Sequence, residues 1–403
     1  MITGSFPLAE LQKVETPIYY YDMSVLRRTI DALKLAAPEQ QFRVHYAVKA
    51  CATREILDEI ARNELGADCA SGAEVEAALR AGIRPEKVVF SGIAKTDREI
   101  RGSLRANIFC FNVESEPELE VINQIAQSLH KRARVCLRVN PNIEAHPQAM
   151  MQNGMTTNQF GIAMQDLENV VRHCITLPGI EFSGLHFHIG SQITDLKPFE
   201  QLAERVNELV EKIEQISYTD AQLETRHVTV SHINLGGGLG ILYDQPNHFP
   251  VPDFETYFRI FRERLRLRED QMVHFELGRS IVAQCGSLLT RVLYVKKGNE
   301  KSVCVVDAGL YDLIRPARYG AFHRVENLTH PDADELLYNI VGPAGEAGDV
   351  FVEGYKIAEM HRGDLLAIRS AGAYGEIMAT QYNLRRLPGH VTSDDLGFLS
   401  LGF

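Results

Sequence analysis

Short runs of β-forming residues alternate with longer amphipathic segments over the first two thirds of the chain. The run FRVHYAVKA (42–50) is apolar and rich in β-formers, whereas TREILDEIARNELG (53–66) carries its apolar residues at helical spacing. This alternation continues to about residue 280. It predicts eight strands, each but the last followed by a helical segment, at 42–50, 66–69, 87–91, 108–113, 134–140, 182–189, 230–236 and 272–277.

Eight β/α repeats in roughly 250 residues match a closed parallel (β/α)8 barrel of the TIM type. An open doubly wound sheet is the alternative. It usually has fewer strands and a glycine-rich fingerprint after its first strand, which this sequence lacks. We therefore expect an α/β protein with a barrel over residues 23–278.

The pattern changes after about residue 280, where strand-like runs follow one another without long helices. LLTRVLYVKKG, KSVCVVDAGL and DVFVEGYKIAEM are examples. These runs predict a C-terminal all-β domain over residues 279–403. The strand-like TPIYYYD (16–22) precedes the first helix and is expected to pair with that domain, so residues 1–22 are assigned to it.

Composition and charge narrow the class of protein. The 403 residues are 45% hydrophobic and 24% charged, and the net charge of −11 disfavours nucleic acid or an anionic membrane as partner. The N-terminal residues show no basic start followed by an apolar run, and no run of about 18 apolar residues occurs, so we expect neither a signal peptide nor a membrane span. The seven scattered cysteines form no CxxC pair, which predicts buried free thiols in a reducing cytoplasm. Metal binding or a catalytic thiol is the alternative reading of the cysteines, and we expect no metal site.

Polar residues and glycines stand at or near the ends of the predicted strands. In a barrel these ends meet at one rim, where barrel enzymes build their sites, so the sequence predicts a polar crater. The residues concerned are Lys49, Asp68, Ser91, Asn112, Arg138, Asn140, His186, His188, Ser191, Gly236, Gly237, Gly238, Glu276, Gly278 and Arg279.

Three features of this rim indicate a cofactor. The stem of Lys49 can snorkel to the surface, but an amine desolvated in a barrel mouth can form a Schiff base with a carbonyl. The glycines of NLGGGLG (234–240) would present consecutive backbone amides to a phosphate, or they form a tight turn. Glu276 would bind a ring nitrogen, or form an ion pair with Arg279 or Arg138. With an imidazole nearby, these groups suggest pyridoxal 5'-phosphate (PLP).

A series of short motifs runs through nearly the whole chain. They read YYYD, HYAVKA, GADCASGAE, CFNVES, LRVNPN, FGIAMQDL, HFHIGSQI, NLGGGLGI, ELGRSIV, DAGLYDLIRPARY, GPAGEAGDVF and RSAGAYGEIMA. In this order they resemble diaminopimelate decarboxylase, a family of the fold-type III, alanine-racemase-like PLP enzymes; HIGSQ, GGGLG and AGAYG are specific. The resemblance implies a barrel with a C-terminal β domain, working as a head-to-tail homodimer with shared active sites.

The resemblance also implies roles for single residues. Lys49 would form the Schiff base, His188 would stack on the cofactor ring, and Glu276 would bind the pyridine nitrogen. With Tyr374 these three make the expected catalytic set. The other expected cofactor contacts are Asp68, Arg138, Ser191, Gly236, Gly237, Gly238, Gly278, Arg279 and Tyr374. The expected substrate contacts are Arg279, Arg315, Tyr319, Glu346 and Tyr374.

One loop departs from the family's pattern. GPAGEAGDVF (342–351) stands where the family usually reads G-P-x-C-E-S, in a loop that enters the neighbouring subunit's site. Glu346 keeps the acid that receives the distal ammonium of diaminopimelate. Gly345 replaces the Cys that is the proposed proton donor to the α-carbon, and Ala347 replaces the Ser. Further departures are Cys51, Gln159, AHPQAM (145–150) and Arg318.

The sequence leaves three functions open. The first is decarboxylation of meso-2,6-diaminopimelate to L-lysine and CO2, with water or Tyr374 replacing the missing thiol and turnover impaired. The second is a related decarboxylase or racemase for another basic amino acid, because the smaller loop would admit a bulkier substrate. The third is a PLP-binding protein with little catalysis.

Overall fold

The computed structural model describes residues 5–145, 160–220, 222–249 and 251–400. The departures at Gln159 and at residues 146–150 lie outside these ranges. The chain forms two compact units. We call them the barrel unit (Leu33–Gly240 and Asp253–Leu277) and the β unit (Met1–Ala32, Ile241–Pro252 and Gly278–Phe403). The functional boundaries expected at residues 22 and 278 stay a prediction.

The strands and helices follow one another as the sequence pattern indicates. The strands are β1 (Ile18–Tyr21), β2 (Phe42–Ala47), β3 (Gly66–Cys69), β4 (Val88–Phe90), β5 (Cys110–Val113), β6 (Ala133–Asn140), β7 (Ile162–Ala163), β8 (Ile180–His186), β9 (Ser217–Thr219), β10 (Thr225–His227), β11 (His232–Asn234), β12 (Met272–Leu277), β13 (Gly286–Lys296), β14 (Ser302–Val306), β15 (Val325–Asn327), β16 (Glu335–Val341), β17 (Val350–Ala358), β18 (Leu365–Ile368) and β19 (Gly389–Thr392). The helices are α1 (Leu8–Leu11), α2 (Met23–Ala36), α3 (Arg54–Arg62), α4 (Gly72–Arg80), α5 (Asp97–Ala106), α6 (Glu116–Ser128), α7 (Leu167–Cys174), α8 (Lys197–Glu214), α9 (Phe254–Arg264), α10 (Arg279–Val282), α11 (Arg315–Tyr319) and α12 (Ser393–Ser400).

Eight parallel strands close the barrel, which confirms the predicted fold class. They pair in the order β2-β3-β4-β5-β6-β8-β11-β12, and β12 pairs back to β2 with Val273 opposite Phe42. The short β7 adds to β6 beside the ring, and β9 and β10 form an antiparallel hairpin. Because every barrel strand runs in the same direction, their carboxyl ends lie at one rim.

Side-chain caps start three of the helices that follow barrel strands. The Ser71 hydroxyl accepts the Glu74 amide before α4, and the Ser115 hydroxyl accepts the Glu118 amide before α6. At α5 the Thr96 hydroxyl accepts the Glu99 amide while the Glu99 carboxylate accepts the Thr96 amide, which is a complete capping box. These caps keep the loops after β3, β4 and β5 short, and so fix the polar residues at those strand ends.

Three histidines form a hydrogen-bonded row within the barrel unit. His45 Nε2 lies 2.8 Å from His274 Nδ1, and His274 Nε2 lies 2.9 Å from His232 Nδ1. Burial lowers the pKa of all three, to about 4 at His232. The row is therefore neutral at pH 7, and its rings can alternate donor and acceptor nitrogens without a buried charge.

The β unit contains an eight-stranded, mainly antiparallel sheet. Its main path is β15-β18-β13-β14-β16-β17, and β14 and β16 are a parallel pair within it. The strand β1 pairs antiparallel with β13, with Ile18 opposite Leu289, and parallel with β19. The predicted pairing of TPIYYYD with this domain is confirmed.

The seven cysteines and the helices agree with the sequence analysis. Each of the seven cysteines lies in the described ranges, is buried and forms no disulfide. Among the helices of the described ranges, none has the length and apolar character that crossing a membrane requires.

Candidate active site

Polar side chains at five strand ends of the barrel unit form one continuous network. The ammonium nitrogen of Lys49 lies 3.4 Å from Asp68 Oδ2, and the Ser91 hydroxyl donates to Asp68 Oδ1 at 2.7 Å. The Asn112 amide nitrogen contacts Ser91 Oγ and Glu276 Oε1, both at 2.9 Å. Polar contacts therefore connect Lys49 to Glu276, and the convergence of strand ends predicted from the β/α alternation is present.

A tight turn presents Lys49 at the end of β2. The residues Val48–Ala50 form one 3-10 turn, and the Tyr46 hydroxyl donates to the Cys51 carbonyl at 2.9 Å across it. The Lys49 side chain is 41% exposed, whereas that of Asp68 is 1% exposed. Burial raises the pKa of Asp68, the nearby Glu276 adds to the rise, and Lys49 opposes it. The ammonium thus faces solvent on one side and a buried carboxyl group on the other.

Neutral donors surround the Glu276 carboxylate. Its Oε1 accepts the side-chain amides of Asn112 and Asn234 at 2.9 and 2.7 Å, and its Oε2 lies 3.0 Å from His186 Nε2. Burial raises the pKa of Glu276, and it lowers the pKa of His186 to about 3, so that imidazole is neutral at pH 7. A carboxylate offers about four acceptor positions, and these donors use three. One position on Oε2 can accept a further donor, such as a ring N–H.

Arg138 pairs with an acid that the sequence analysis did not single out. Its guanidinium lies 2.7 Å from Glu114 Oε1 and 4.9 Å from the centre of the Phe160 ring. Glu114 Oε2 also accepts the Gly161 amide at 3.2 Å. The alternative ion pair between Glu276 and Arg138 is therefore wrong. Glu114 follows β5 directly, and its place at a strand end was the signal available.

The Gly236–Gly238 run passes against neighbouring strand ends. A Cβ at Gly236 would lie 2.2 Å from the Phe187 carbonyl oxygen, and one at Gly237 would lie 1.9 Å from the Glu276 carbonyl oxygen. At Gly238, where φ is +109°, it would lie 2.5 Å from the Gly190 carbonyl oxygen. Close backbone packing alone therefore requires glycine at these three positions.

Two amides of this run already have partners within the barrel unit. The Gly236 amide donates to Asn234 Oδ1 at 2.9 Å, and the Gly237 amide points to His188 Nδ1 at 3.4 Å. The predicted series of consecutive available amides is therefore not present at Gly236 and Gly237. That this run binds a phosphate remains a proposal, and the backbone amide proposed for the contact is that of Gly238.

His188 is partly buried and held by the glycine run. Burial, reinforced by the cations Lys49 and Arg138, keeps the pKa of His188 well below its usual value. Because Nδ1 faces the Gly237 amide, the neutral ring carries its proton on Nε2. Ser191 follows in an exposed loop.

Two arginines of the β unit converge on one phenol. Nη1 of Arg279 lies 2.6 Å from the Tyr243 hydroxyl, and Nη2 of Arg315 lies 3.1 Å from the same oxygen. The arginines are only 8% and 6% exposed, respectively. Gly278 immediately precedes α10, which begins at Arg279. The sequence analysis named both arginines and missed Tyr243, which lies in an irregular segment without a periodic pattern.

The partners found around Arg315 are uncharged. Its Nε donates to His323 Nε2 at 3.3 Å, and His323 Nδ1 contacts the Arg369 carbonyl at 2.9 Å. Burial lowers the pKa of His323 to about 3, so it is neutral at pH 7. Burial likewise lowers the pKa of Arg315. Such a guanidinium is suited to receive an anion.

The two expected tyrosines differ in exposure. Tyr374 has a positive φ of +57°, and the Arg279 guanidinium lies 4.9 Å from the centre of its ring. Tyr319 ends α11 and is 57% exposed, with the Arg318 guanidinium 5.3 Å from its ring centre. Within the described ranges, the ring of Tyr374 therefore packs against the arginine pair, whereas that of Tyr319 lies beside Arg318.

The loop that carries Glu346 is organised by a buried aspartate. Asp349 Oδ2 accepts the Ala344 amide at 2.7 Å, and its Oδ1 accepts the Leu310 amide at 2.7 Å. Gly345 adopts a φ of +58°, and a Cβ built there meets no atom within 4 Å. Space around Gly345 is therefore open, but its backbone conformation favours glycine.

Glu346 itself is exposed and has a partner in its own chain. The Tyr382 hydroxyl donates to Glu346 Oε1 at 2.6 Å. Tyr382 lies in the 3-10 turn Tyr382–Leu384 and is 45% exposed. The sequence analysis did not identify it, because its segment has no strand or helix periodicity.

Comparison with known proteins identifies the family. The family described as "Pyridoxal-dependent decarboxylase, pyridoxal binding domain" matches residues 23–283. Diaminopimelate decarboxylase of Bacteroides thetaiotaomicron is 49% identical over 394 residues, covering 98% of this chain and 99% of the relative. The Pseudomonas aeruginosa enzyme of the same name is 40% identical over 385 residues, covering 95% and 89%.

Solved structures agree with this relationship. The crystal structure of diaminopimelate decarboxylase from Helicobacter pylori complexed with L-lysine matches with a TM-score of 0.85 and 33% identity, over 97% of this chain and 98% of that one. A lysine/ornithine decarboxylase from Vibrio vulnificus, at 20% identity and a TM-score of 0.80 over 96% and 97% of the two chains, shares the fold. The chain belongs to the diaminopimelate decarboxylase family of PLP-dependent decarboxylases.

Proposed function

We propose that this protein decarboxylates meso-2,6-diaminopimelate to L-lysine and CO2, with PLP as cofactor. The observation that carries the proposal is the buried Glu276 carboxylate, which keeps one acceptor position and shares a hydrogen-bonded network with Lys49. The relatives named diaminopimelate decarboxylase support the substrate, as does the relative complexed with L-lysine.

The residues of the barrel unit fit PLP. Lys49 offers an amine for the cofactor's carbonyl, and Glu276 Oε2 offers an acceptor for a ring N–H. His188 is a neutral imidazole that can lie against a ring, and Gly238 is the glycine we assign to the phosphate, with Ser191 as a further contact. Gly278 and Arg279, which belong to the β unit, are also assigned to the cofactor. When bound, PLP supplies the sink for the electron pair that remains at Cα after CO2 departs.

Neutral donors make Glu276 an effective partner for a protonated ring nitrogen. Asn112, Asn234 and neutral His186 orient the carboxylate without adding positive charge that would compete with that ring. The negative charge of Glu276 can therefore hold a proton on the ring nitrogen. Arg138, held by Glu114, adds a cation to the surroundings of His188 and keeps that imidazole neutral.

Asp68 can accept the proton that Lys49 must lose. Lysine must lose a proton before its amine reacts with a carbonyl. Asp68 Oδ2 is 3.4 Å from Lys49 Nζ, and burial raises the pKa of Asp68. We assign to Asp68 the holding of the ammonium, and the uptake of its proton when the free amine is needed.

The β unit supplies groups of both signs for the substrate. Arg279 and Arg315, joined by Tyr243, form a cationic site for a carboxylate. Glu346 is assigned to the distal ammonium, with Tyr319 and Tyr374 as additional contacts. Diaminopimelate carries two carboxylates and two amines, and so uses both kinds of group.

After CO2 departs, the α-carbon of the substrate must receive a proton. Residue 345 cannot donate it, since glycine has no side-chain donor. Tyr374 is our first candidate, with water as the alternative. Its hydroxyl can donate, and the Arg279 guanidinium beside its ring would stabilise the phenolate left behind. Turnover without the family's thiol is expected to be slow.

We also propose a homodimer in which the Glu346 loop of each chain serves the active site of the other. The β unit exposes many large hydrophobic side chains, which is typical of an interface. These are Leu242, Phe249, Tyr294, Tyr319, Phe322, Leu336, Leu337, Ile377, Tyr382, Leu384 and Leu387. We place the protein in the cytoplasm, where its buried free cysteines stay reduced.

Release of CO2 and formation of lysine test the proposed reaction. The PLP-loaded protein is incubated separately with meso-diaminopimelate, L-lysine, L-ornithine and L-arginine. The amounts of CO2 and of the decarboxylated product are measured in each reaction. We expect CO2 and L-lysine in equal amounts from meso-diaminopimelate and the highest kcat/KM for it. Faster CO2 release from another amino acid, or racemisation without CO2, would favour the second candidate function, and absence of both reactions would favour the third.

Mixing two impaired variants tests the shared site, with meso-diaminopimelate kept below the KM of Glu346→Ala. Lys49→Ala removes the amine and Glu346→Ala removes the charge for the distal ammonium, and a hybrid dimer would hold one site with both groups intact. We expect part of the activity to return after subunit exchange. Proven exchange without recovered activity would place Lys49 and Glu346 of the same chain in one site.

A further inference from the structure

Two exposed histidines and one buried aspartate come together in the β unit, and none of them belongs to the candidate active site. His330 Nδ1 lies 3.0 Å from Asp364 Oδ1, and His361 Nδ1 lies 4.0 Å from Asp364 Oδ2. One ligand atom from each of the three lies within 4.8 Å of the others. Among the residues that the structure describes, no other group of three or more histidine, cysteine, aspartate or glutamate ligands comes together within this distance.

A buried asparagine organises the group from beneath. The Asn327 side-chain nitrogen donates to Asp364 Oδ2 at 3.0 Å, and its Oδ1 accepts the backbone amide of His330 at 3.1 Å. Asp364 Oδ2 also accepts the His361 backbone amide at 2.9 Å. Asn327 and Asp364 are each 3% exposed. These contacts hold one carboxylate oxygen and leave Oδ1 directed at His330.

The two histidine-bearing segments are joined by their backbones. The Leu328 amide donates to the Leu365 carbonyl at 2.9 Å, and the Leu365 amide donates to Thr329 Oγ1 at 2.9 Å. The turn between β17 and β18 closes with the Asp364 amide on the His361 carbonyl at 3.1 Å. The backbone positions of the three ligands are thus fixed relative to one another.

We propose that His330, His361 and Asp364 bind a divalent transition-metal ion, with Zn²⁺ as the preferred one. Two imidazole nitrogens and one carboxylate oxygen form a ligand set typical of zinc, whereas Mg²⁺ and Ca²⁺ prefer oxygen ligands alone. The histidine side chains are 51% and 60% exposed, so both rings can turn to bring their nitrogens to the ion. Oδ1 of Asp364 is the carboxylate ligand.

Water or a further carboxylate completes the coordination. Glu359 Oε1 lies 4.0 Å from His361 Nε2, close enough to join a fourth position. Asn327 acts as an outer partner, because it orients Asp364 and fixes the loop of His330. The ion would clamp the end of β15 to the turn before β18, and therefore would stabilise the β unit without entering the decarboxylation chemistry.

The sequence analysis expected no metal site, because it searched cysteine spacings. The three ligands fall in two segments about thirty residues apart along the chain, without a recognised ligand spacing. The antiparallel pairing of β15 with β18 brings the two segments together. The site is therefore a product of sheet topology.

Zinc titration of the PLP-loaded protein tests the proposal. The protein is dialysed against a chelator, and Zn²⁺ is then titrated in competition with a chromophoric chelator, while Co²⁺ is added separately to record its visible bands. We expect one equivalent per chain, a Co²⁺ spectrum of a nitrogen and oxygen site, and a rise in Tm with Zn²⁺. His330→Ala and His361→Ala should each weaken zinc binding by at least about tenfold and remove the Tm rise.

A matched control and an independent variant make the outcome decisive. His227→Ala removes an exposed histidine of β10 in the barrel unit and should leave zinc affinity unchanged. Asp364→Asn should also weaken binding. If it fails to fold, the two exposed histidine variants still decide the question. Unchanged zinc affinity in the His330→Ala, His361→Ala double variant, equal weakening by His227→Ala, or no binding at 100-fold excess over protein would overturn the proposal.

Discussion

The polar rim of the barrel unit and the 342–349 loop of the β unit differ in how their acids are held. Glu276 is 6% exposed and accepts hydrogen bonds from three side chains on three strands. Glu346 is exposed, and its observed side-chain partner is the single hydroxyl of Tyr382. One carboxylate belongs to a rigid scaffold, whereas the other lies on an open loop.

This difference predicts a gradient of functional effects. A buried group in a network cannot be replaced by water, so its loss leaves other buried polar atoms unsatisfied. Water can take over much of the role of an exposed group. We therefore expect substitutions in the barrel rim to abolish or strongly reduce turnover, and substitutions around the loop to act mainly through substrate binding.

Removal of the amine should have the largest effect. Lys49→Ala should lose the visible absorbance of the covalently bound cofactor and all measurable turnover, because no other group of this network can form a Schiff base. Absorbance spectra and CO2 assays measure both effects, and Lys212→Ala, an exposed lysine of α8, is the control. Borohydride reduction followed by peptide mapping should label Lys49, and labelling of another lysine would contradict the assignment.

Neutralising the buried acid should come next. Glu276→Gln keeps the size of the side chain but removes the charge that would hold a proton on the ring nitrogen, so kcat should fall by about 10²- to 10³-fold. The cofactor should remain attached, and this separates the prediction from simple loss of binding. Steady-state assays measure the fall in kcat. The control is Glu181→Gln, which changes a half-exposed acid of β8. A kcat within about twofold of the parent would show that the network does not act on catalysis.

The barrel rim could be predicted from the sequence because strand ends are periodic. The β/α alternation located Asp68, Ser91, Asn112 and Glu276, and a parallel barrel necessarily brings such positions to one edge. The hydrogen-bond partners of Glu276 were harder to predict from the sequence. An arginine was one expected partner, but amides and a neutral histidine take the positions, since Glu114 already engages Arg138.

The substrate-facing groups of the β unit lack such a pattern. Tyr243 and Tyr382 lie in irregular segments, where no hydrophobic period indicates which side chains converge. The resemblance to the family supplied Arg315, Glu346 and the substrate role of Arg279, whose position the strand-end pattern had already indicated, but it supplied neither tyrosine. The positive φ of Gly345 was likewise not readable from the run of small residues, although glycine is the residue that adopts it most readily.

A substitution at Gly345 is expected to be an exception to this gradient. An acid placed there would change kcat although it lies on the exposed loop. Gly345→Cys should raise kcat above that of Gly345→Ala by about tenfold or more, since a positioned general acid contributes about 10²- to 10⁴-fold. Both variants carry the same backbone strain at a φ of +58°, about 1–2 kcal/mol, so their ratio isolates the thiol. Equal kcat values in stopped-flow and product assays would leave Tyr374 or water as the donor.

The arginine pair should show an intermediate effect. Tyr243→Phe removes the oxygen shared by Arg279 and Arg315, and hydrogen bonds to charged groups contribute about 1.5–3 kcal/mol. We expect KM for meso-diaminopimelate to rise about tenfold or more with little change in kcat, because the arginines lose their common orientation. Tyr218→Phe, an exposed tyrosine of β9 in the barrel unit, is the control. A fall in kcat at unchanged KM would place Tyr243 in the chemistry instead.

The hydrogen bond on the open loop should matter least. Tyr382→Phe leaves the Glu346 charge in place and removes one exposed hydrogen bond, so KM should rise only about two- to threefold, in line with the contribution of a typical hydrogen bond. Glu346→Gln keeps an acceptor for Tyr382 but removes the charge for the distal ammonium, and should raise KM more. With 2-aminopimelate, which lacks the distal amine, neither substitution should change KM relative to the parent. If Tyr382→Phe matched Glu346→Gln on meso-diaminopimelate, orientation of the acid would govern binding rather than its charge, and the loop would resemble the barrel rim in its sensitivity.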